Sequence, residues 1–313
     1  MSYRFFFLIL TVFVTSSVRA EDADPNAIND VNFAANYHPA AGQSAAKAKK
    51  YGVIVLTGSS GGYATSEAKK IASMGFPVLS LAYFAKDIRP IPLDHLKLNP
   101  PLPDTLEMIP LEYFDAPKQW LADRAETRND GVIIIGYSKG AELALVLAAH
   151  DPQYKGVIAV APSSVVWSGI PNSPTPITSA SSSWSLNGKP LAFVPYIARD
   201  TFRNAGTGLY SLLNWHIASI ASVSDAKAME AAFIEVENIR SPLLLLSGGK
   251  DTVWPSNEMA TYVCNRVNAI KDDGLCSHLN FENAPHLLGD ATADADQEIA
   301  RFLRLLNQPA LSR

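Results

Sequence analysis

Gly131-Val-Ile-Ile-Ile-Gly-Tyr-Ser-Lys-Gly-Ala-Glu-Leu-Ala-Leu145 decides how this chain folds. Its first five residues are an apolar run of strand length without polar alternation, which predicts a strand covered on both faces. From Ala141 to His150 the composition turns to Ala and Leu, predicting a helix. Between them, Gly136-Tyr137-Ser138-Lys139-Gly140 must turn the chain from strand to helix within a few residues. A Gly-x-Ser-x-Gly segment in that setting lifts the serine hydroxyl above the edge of a sheet. It also leaves the Lys139 backbone N–H at a helix N-terminus, facing an incoming oxyanion.

Outward from this segment the same rhythm repeats. Strands are predicted at Gly52–Leu56, Phe76–Ala82, Gly156–Val160, Pro242–Leu246 and Leu279–Phe281. Helical spacing runs through Thr65–Met74, Leu111–Glu126, Asn257–Ile270 and Ala293–Leu306. Short apolar strands separated by helices read as a doubly wound, mostly parallel α/β sheet. The Pro-rich stretch Asp87–Asp104 is expected to be a surface loop, because proline removes backbone donors. Residues 163–232 are longer than an α/β connection needs. They are expected to form a cap-like insertion over the carboxyl ends of the strands.

A serine alone is a weak nucleophile, so a base and an orienting acid are sought in the order Ser, Asp, His. Asp251 follows a predicted strand in Ser-Gly-Gly-Lys-Asp-Thr-Val-Trp-Pro-Ser, and His286 follows another in Glu-Asn-Ala-Pro-His-Leu-Leu-Gly. Both stand at carboxyl ends, where a parallel sheet would gather them around Ser138. His38, His95, His150 and His216 follow no late strand and His278 precedes one, so they compete weakly for the role of base. The Gly-rich loop Thr57–Gly62 comes after an early strand, and the amide of Ser59, then that of Ser60, is its candidate second oxyanion donor. That loop carries neither Gly-x-Gly-x-x-Gly nor the Lys-Ser/Thr of a phosphate-binding loop. Glu142, one helical turn beyond Ser138, either favours the helix N-terminus or pairs with a nearby cation such as Lys139. Trp167, Trp184, Tyr196 and Trp215 either line an acyl pocket or form the core of the insertion.

These residues resemble the C-terminal domain of acyl-CoA thioesterases and bile acid-CoA:amino acid N-acyltransferases. The likeness rests on Gly136–Leu145 and Asp251–Ser256, with Leu56–Gly62, Phe76–Tyr83, Ile109–Phe114 and Val236–Ile239 in support. The resemblance implies an α/β-hydrolase fold, related to the dienelactone hydrolases, with Ser138, Asp251 and His286 as a catalytic triad. The amino-acid transferases use cysteine as nucleophile, whereas Ser138 favours hydrolysis. The expected activity is therefore hydrolysis of a small-molecule carboxylic ester or acyl thioester through an acyl-serine, requiring no cofactor and no metal. A peptidase of the prolyl-oligopeptidase type and a non-catalytic binding protein are the alternatives.

Composition sets the surroundings. The 313 residues are 48% hydrophobic and 18% charged, enough apolar material for a substantial core. The formal net charge of −4 argues against nucleic acid as a partner. Arg4, the apolar run Phe5–Val14 and the small-residue end Val18-Arg19-Ala20 have the layout of a signal peptide over residues 1–20. A secreted or periplasmic mature chain of residues 21–313 without a stable membrane span is expected, and its oligomeric state is left open. Cys264 and Cys276 are either a disulfide, stapling a helix to the loop before the next strand, or two buried thiols.

Overall fold

The computed structural model describes residues 27–28, 30, 32–42, 49–85, 98, 101–171, 181–196, 212–270 and 274–308. Residues 1–20, most of the Pro-rich stretch and the middle of the insertion lie outside them.

Seven strands form the main sheet: β1 (Ala34–His38), β2 (Lys50–Leu56), β3 (Val78–Ala82), β5 (Thr127–Tyr137), β6 (Tyr154–Val160), β9 (Leu243–Gly248) and β10 (Cys276–Phe281). Their order is β1-β3-β2-β5-β6-β9-β10, and every pairing is parallel except the antiparallel β1·β3 pair at one edge. Between β3 and β5, β4 (Ile109–Pro110) joins β7 (Trp184–Leu186) and β8 (Lys189–Pro190) in a second, three-stranded sheet.

The period of a strand explains the layering, because successive side chains leave on opposite faces. Val53, Val55, Ile133, Ile135, Ile158, Val160, Leu244 and Leu246 pack on one side with α1 (Thr65–Ser73) and α7 (Thr292–Leu306). Their neighbours Ile54, Leu56, Val132, Ile134, Val157, Ala159, Leu243 and Leu245 face the other way. There they meet α2 (Asp115–Ala122), α3 (Lys139–His150) and α6 (Ser256–Ile270). Both faces are dry, which is why these strands read as unbroken apolar runs.

Several sequence boundaries shift. Leu111–Glu126 is not one helix: a 3₁₀ turn at Leu111–Phe114 precedes α2, and β5 already begins at Thr127. Pro117 sits in the first turn of α2, where its missing N–H costs nothing. Cys276 and His278 lie within β10 rather than in the loop before it. The disulfide between Cys264 and Cys276, with Cα atoms 5.1 Å apart, therefore joins α6 to a strand. Asn268 of α6 also brackets Cys276, accepting its N–H and donating to its carbonyl, each at 3.0 Å. In the insertion, α4 (Leu212–Ser222) and α5 (Ala226–Ala232) are described. Trp167 and Tyr196 are core residues here rather than a lining, as is Trp184 in the main core; the Trp215 side chain lies outside the described residues.

Candidate active site

The turn between β5 and α3 is tight enough to exclude side chains at two positions. A Cβ on Gly136 would come within 1.9 Å of the Gly140 carbonyl oxygen, and one on Gly140 within 2.2 Å of the Thr57 carbonyl oxygen. Between them Ser138 has φ 55° and ψ −118°, a backbone conformation that L residues rarely adopt. Its amide is held by the Val160 carbonyl of the neighbouring strand (2.9 Å) and its carbonyl takes the amides of Ala141 and Glu142 (2.8 and 3.1 Å). The Lys139 amide opens the helix and hydrogen-bonds to no described residue, as expected of a first-turn donor.

His286, in the turn after β10, brings Nε2 within 2.8 Å of Ser138 Oγ. Its Nδ1 lies 2.7 Å from Asp251 Oδ2, in the loop after β9. The other carboxylate oxygen of Asp251 accepts the amides of Val253 (2.8 Å) and Trp254 (3.2 Å). Burial pushes the Asp251 carboxyl up, but its bond to the imidazole and the Val253 amide outweigh that and hold it below the usual carboxylate range. The anion so maintained selects the tautomer in which Nδ1–H donates to Asp251, leaving Nε2 to accept the Ser138 proton. Three side chains, each after a different strand, thus meet at one rim of the sheet.

The loop after β2 closes the site from the other side. Gly58 packs directly on the serine: a Cβ there would meet the Ser138 Cβ at 3.0 Å. The Gly61 amide is taken by the Gly58 carbonyl (3.2 Å), whereas those of Ser59 and Ser60 bond to no described residue, so both remain available. Next to them, a cavity of about 210 Å³ is lined by Gly58, Ser60, Tyr137, Leu287, Leu288 and Ile299, among others.

Behind the histidine stands a wall of rings, of which only Trp167 was among the aromatic candidates in the sequence. Trp254 packs edge-on against His286 with centroids 5.1 Å apart, Trp167 lies near-parallel to Trp254 at 6.4 Å, and His216 of α4 is perpendicular to both. The remaining histidines are placed elsewhere: His278 bonds to Ser247 Oγ through Nε2 (2.7 Å), and His150 to the Val146 carbonyl (2.8 Å). His38 is in β1, and His95 lies outside the described residues. Among the described residues no group of three His, Cys, Asp or Glu side chains is placed to hold a metal ion.

A strained serine after the central strand β5, with the acid from the loop after β9 and the histidine from the turn after β10, defines an α/β-hydrolase. Solved structures agree on the fold: the chain resembles the monoacylglycerol lipase of Paleococcus ferrophilus, with a TM-score of 0.51 at 17% identity, over 87% of this chain and 98% of that one. Residues 109–290 match the family described as BAAT / acyl-CoA thioester hydrolase C terminal, and the chain belongs to it. It is similar to human mitochondrial acyl-coenzyme A thioesterase 2, 28% identical over 218 residues, covering 70% of this chain and 38% of the relative. It is also similar to mouse acyl-coenzyme A amino acid N-acyltransferase 1, 34% identical over 110 residues, covering 35% of this chain and 23% of the relative. The chain thus spans less than half the length of these curated relatives.

Proposed function

We propose that this protein is a serine hydrolase that cleaves a carboxylic ester or acyl thioester through an acyl-serine intermediate. The observation that carries the reading is the imidazole of His286, in hydrogen-bond reach of both the Ser138 hydroxyl and the Asp251 carboxylate. Ser138 Oγ attacks the acyl carbonyl carbon as its proton passes to His286 Nε2. The tetrahedral oxyanion is held by the Lys139 amide and by that of Ser59 or Ser60; losing one such donor typically raises the barrier by about 3–4 kcal/mol. His286 then protonates the departing alcohol or thiol, and the carbonyl re-forms as acyl-serine. Water, deprotonated by His286, releases the acid and restores the serine.

The wider assignment follows from the same residues. Residues 1–20 act as a leader, residues 21–313 form one catalytic domain, and residues 163–232 cap the site. Contacts of Trp167 and His216 with Trp254 support the cap, and the Cys264–Cys276 disulfide supports an oxidising compartment. Family membership supports a thioester as the scissile bond.

The test is covalent labelling by a fluorophosphonate, followed by turnover of p-nitrophenyl esters and acyl-CoA thioesters of increasing chain length. Labelling at Ser138 in the wild type, absent in Ser138→Ala, is expected. A folded wild type that resists the reagent and turns over neither series would instead mark a binding protein. At least tenfold faster turnover of the CoA series would fix the thioester as substrate.

A further inference from the structure

Behind the nucleophile lies a fully buried ion pair that takes no part in the proposed proton transfers. Lys139, the residue after the serine, turns its side chain inward to meet Glu142 one helical turn on, with Nζ 2.5 Å from Oε2. Neither side chain is more than 2% exposed. The other Glu142 oxygen, Oε1, accepts the indole N–H of Trp184 at 2.7 Å and the backbone N–H of Trp167 at 3.1 Å. One carboxylate therefore gathers three separate pieces of chain: the nucleophile turn, the segment leaving β6 and strand β7.

The connections run to both halves of the site. Through Lys139 the carboxylate anchors the residue whose amide faces the oxyanion, next to a serine held at φ 55°. A conformation of that kind persists only where its surroundings over-determine it. Through Trp167 the carboxylate reaches the ring wall: Trp167 lies against Trp254, whose ring packs on His286 and whose amide holds Asp251. Burial drives the Lys139 pKa down and the Glu142 pKa up, each partner opposing the change in the other. Such a pair is a weak source of stability, since well-packed apolar residues commonly do as well. Its geometry, unlike its energy, is hard to replace.

We propose that Glu142 is a positioning residue for ester or thioester cleavage: its carboxylate, neutralised by Lys139, fixes the nucleophile turn relative to the Trp167–Trp254 wall that orients His286. The inference rests on the hydrolase reading above. It predicts that the loss falls on the chemical step and not on substrate capture.

The experiment compares Glu142→Gln with the double variant Lys139→Met/Glu142→Gln. Measurements are kcat and KM on a p-nitrophenyl ester, the rate of fluorophosphonate labelling, and Tm. For Glu142→Gln, kcat is expected to fall about 10–100-fold with KM within about threefold, and labelling to slow by the same factor. The double variant no longer buries a lone ammonium, so its Tm returns to near that of the wild type while kcat stays at least about tenfold low. Wild-type kcat in the folded double variant, or a change confined to KM, overturns the assignment. Should neither variant fold, Trp184→Phe removes one donor to Glu142 and keeps both charges. A kcat lowered about three- to tenfold at unchanged Tm then supports the role, and an unchanged kcat refutes it. Wild type that is itself unlabelled strikes down the hydrolase reading; wild type and Glu142→Gln labelled at equal rates strike down only this inference.

Discussion

A single methyl group at position 140 is more than the turn around Ser138 can hold. It would press into the Thr57 carbonyl oxygen at 2.2 Å and the Leu56 carbonyl oxygen at 2.9 Å, both backbone atoms of the strand end beside it. Neither can yield as a flexible side chain would. Gly140→Ala is therefore expected to destabilise the fold by more than about 2 kcal/mol and to abolish labelling of Ser138 in whatever fraction stays folded. Denaturant unfolding and labelling check the two effects, and wild-type values for both would refute the close approach. The same tightness is why this turn is legible in the sequence: two glycines around a serine between strand and helix leave few alternatives. Asp251 and His286 were legible because a parallel sheet delivers strand ends to one rim. For Glu142 the pairing with Lys139 was one of two open readings, but its burial was not legible. A carboxylate in a first helical turn reads as an exposed charge unless the folded chain brings the Trp184 indole N–H and the Trp167 backbone N–H over it.

Elements with a strong apolar period announced themselves, and those built on other grounds did not. β1, Ala-Ala-Asn-Tyr-His, has no apolar run; it exists because the edge of β3 offers it hydrogen bonds in antiparallel register. β4, β7 and β8 are only two or three residues long, too short for any period to register. At the opposite edge β10 is secured by chemistry instead of hydrophobicity. The Cys264–Cys276 bridge spans a sequence separation of 12, and a loop of that size is worth roughly 3 kcal/mol through the entropy of the unfolded chain. Reduction is expected to lower Tm by several degrees, read by calorimetry with and without a phosphine reductant; an unchanged Tm would mean that Asn268 and β9 suffice. His278 adds a pH dependence to the same strand. Burial lowers its pKa, so at pH below about 6.5 the unfolded chain takes up a proton that the folded chain still refuses. Stability therefore rises with pH through the window below about 6.5 and is level, for this group, above it. His278→Gln should reduce that slope in urea titrations at pH 5 to 7, and an identical slope in both proteins would assign it elsewhere.

At the scale of the whole molecule, the proposed leader and the disulfide point the same way. The chain carries 26 basic and 30 acidic residues, and two of the basic ones, Arg4 and Arg19, lie in the proposed leader. Removing it leaves 24 against 30, taking the formal net charge from −4 to −6. The body that remains has both cysteines committed to one bond, between residues packed in the main core. No described helix is long and apolar enough to cross a membrane, so any anchoring by a helix would fall to residues outside that set, the apolar run Phe5–Val14 among them. These facts make one joint expectation of a protein expressed with its own N-terminus in an exporting host. The recovered chain should begin at Glu21, and in denaturant it should react with no thiol reagent until a reductant is added. Intact mass and N-terminal sequencing read the first outcome, and alkylation before and after reduction reads the second. A chain that keeps Met1–Ala20 and stays with the membrane would turn the leader into an anchor while leaving the hydrolytic site outside the bilayer. A chain recovered with two free thiols would separate the disulfide from the compartment, and the bridge would then no longer speak for export.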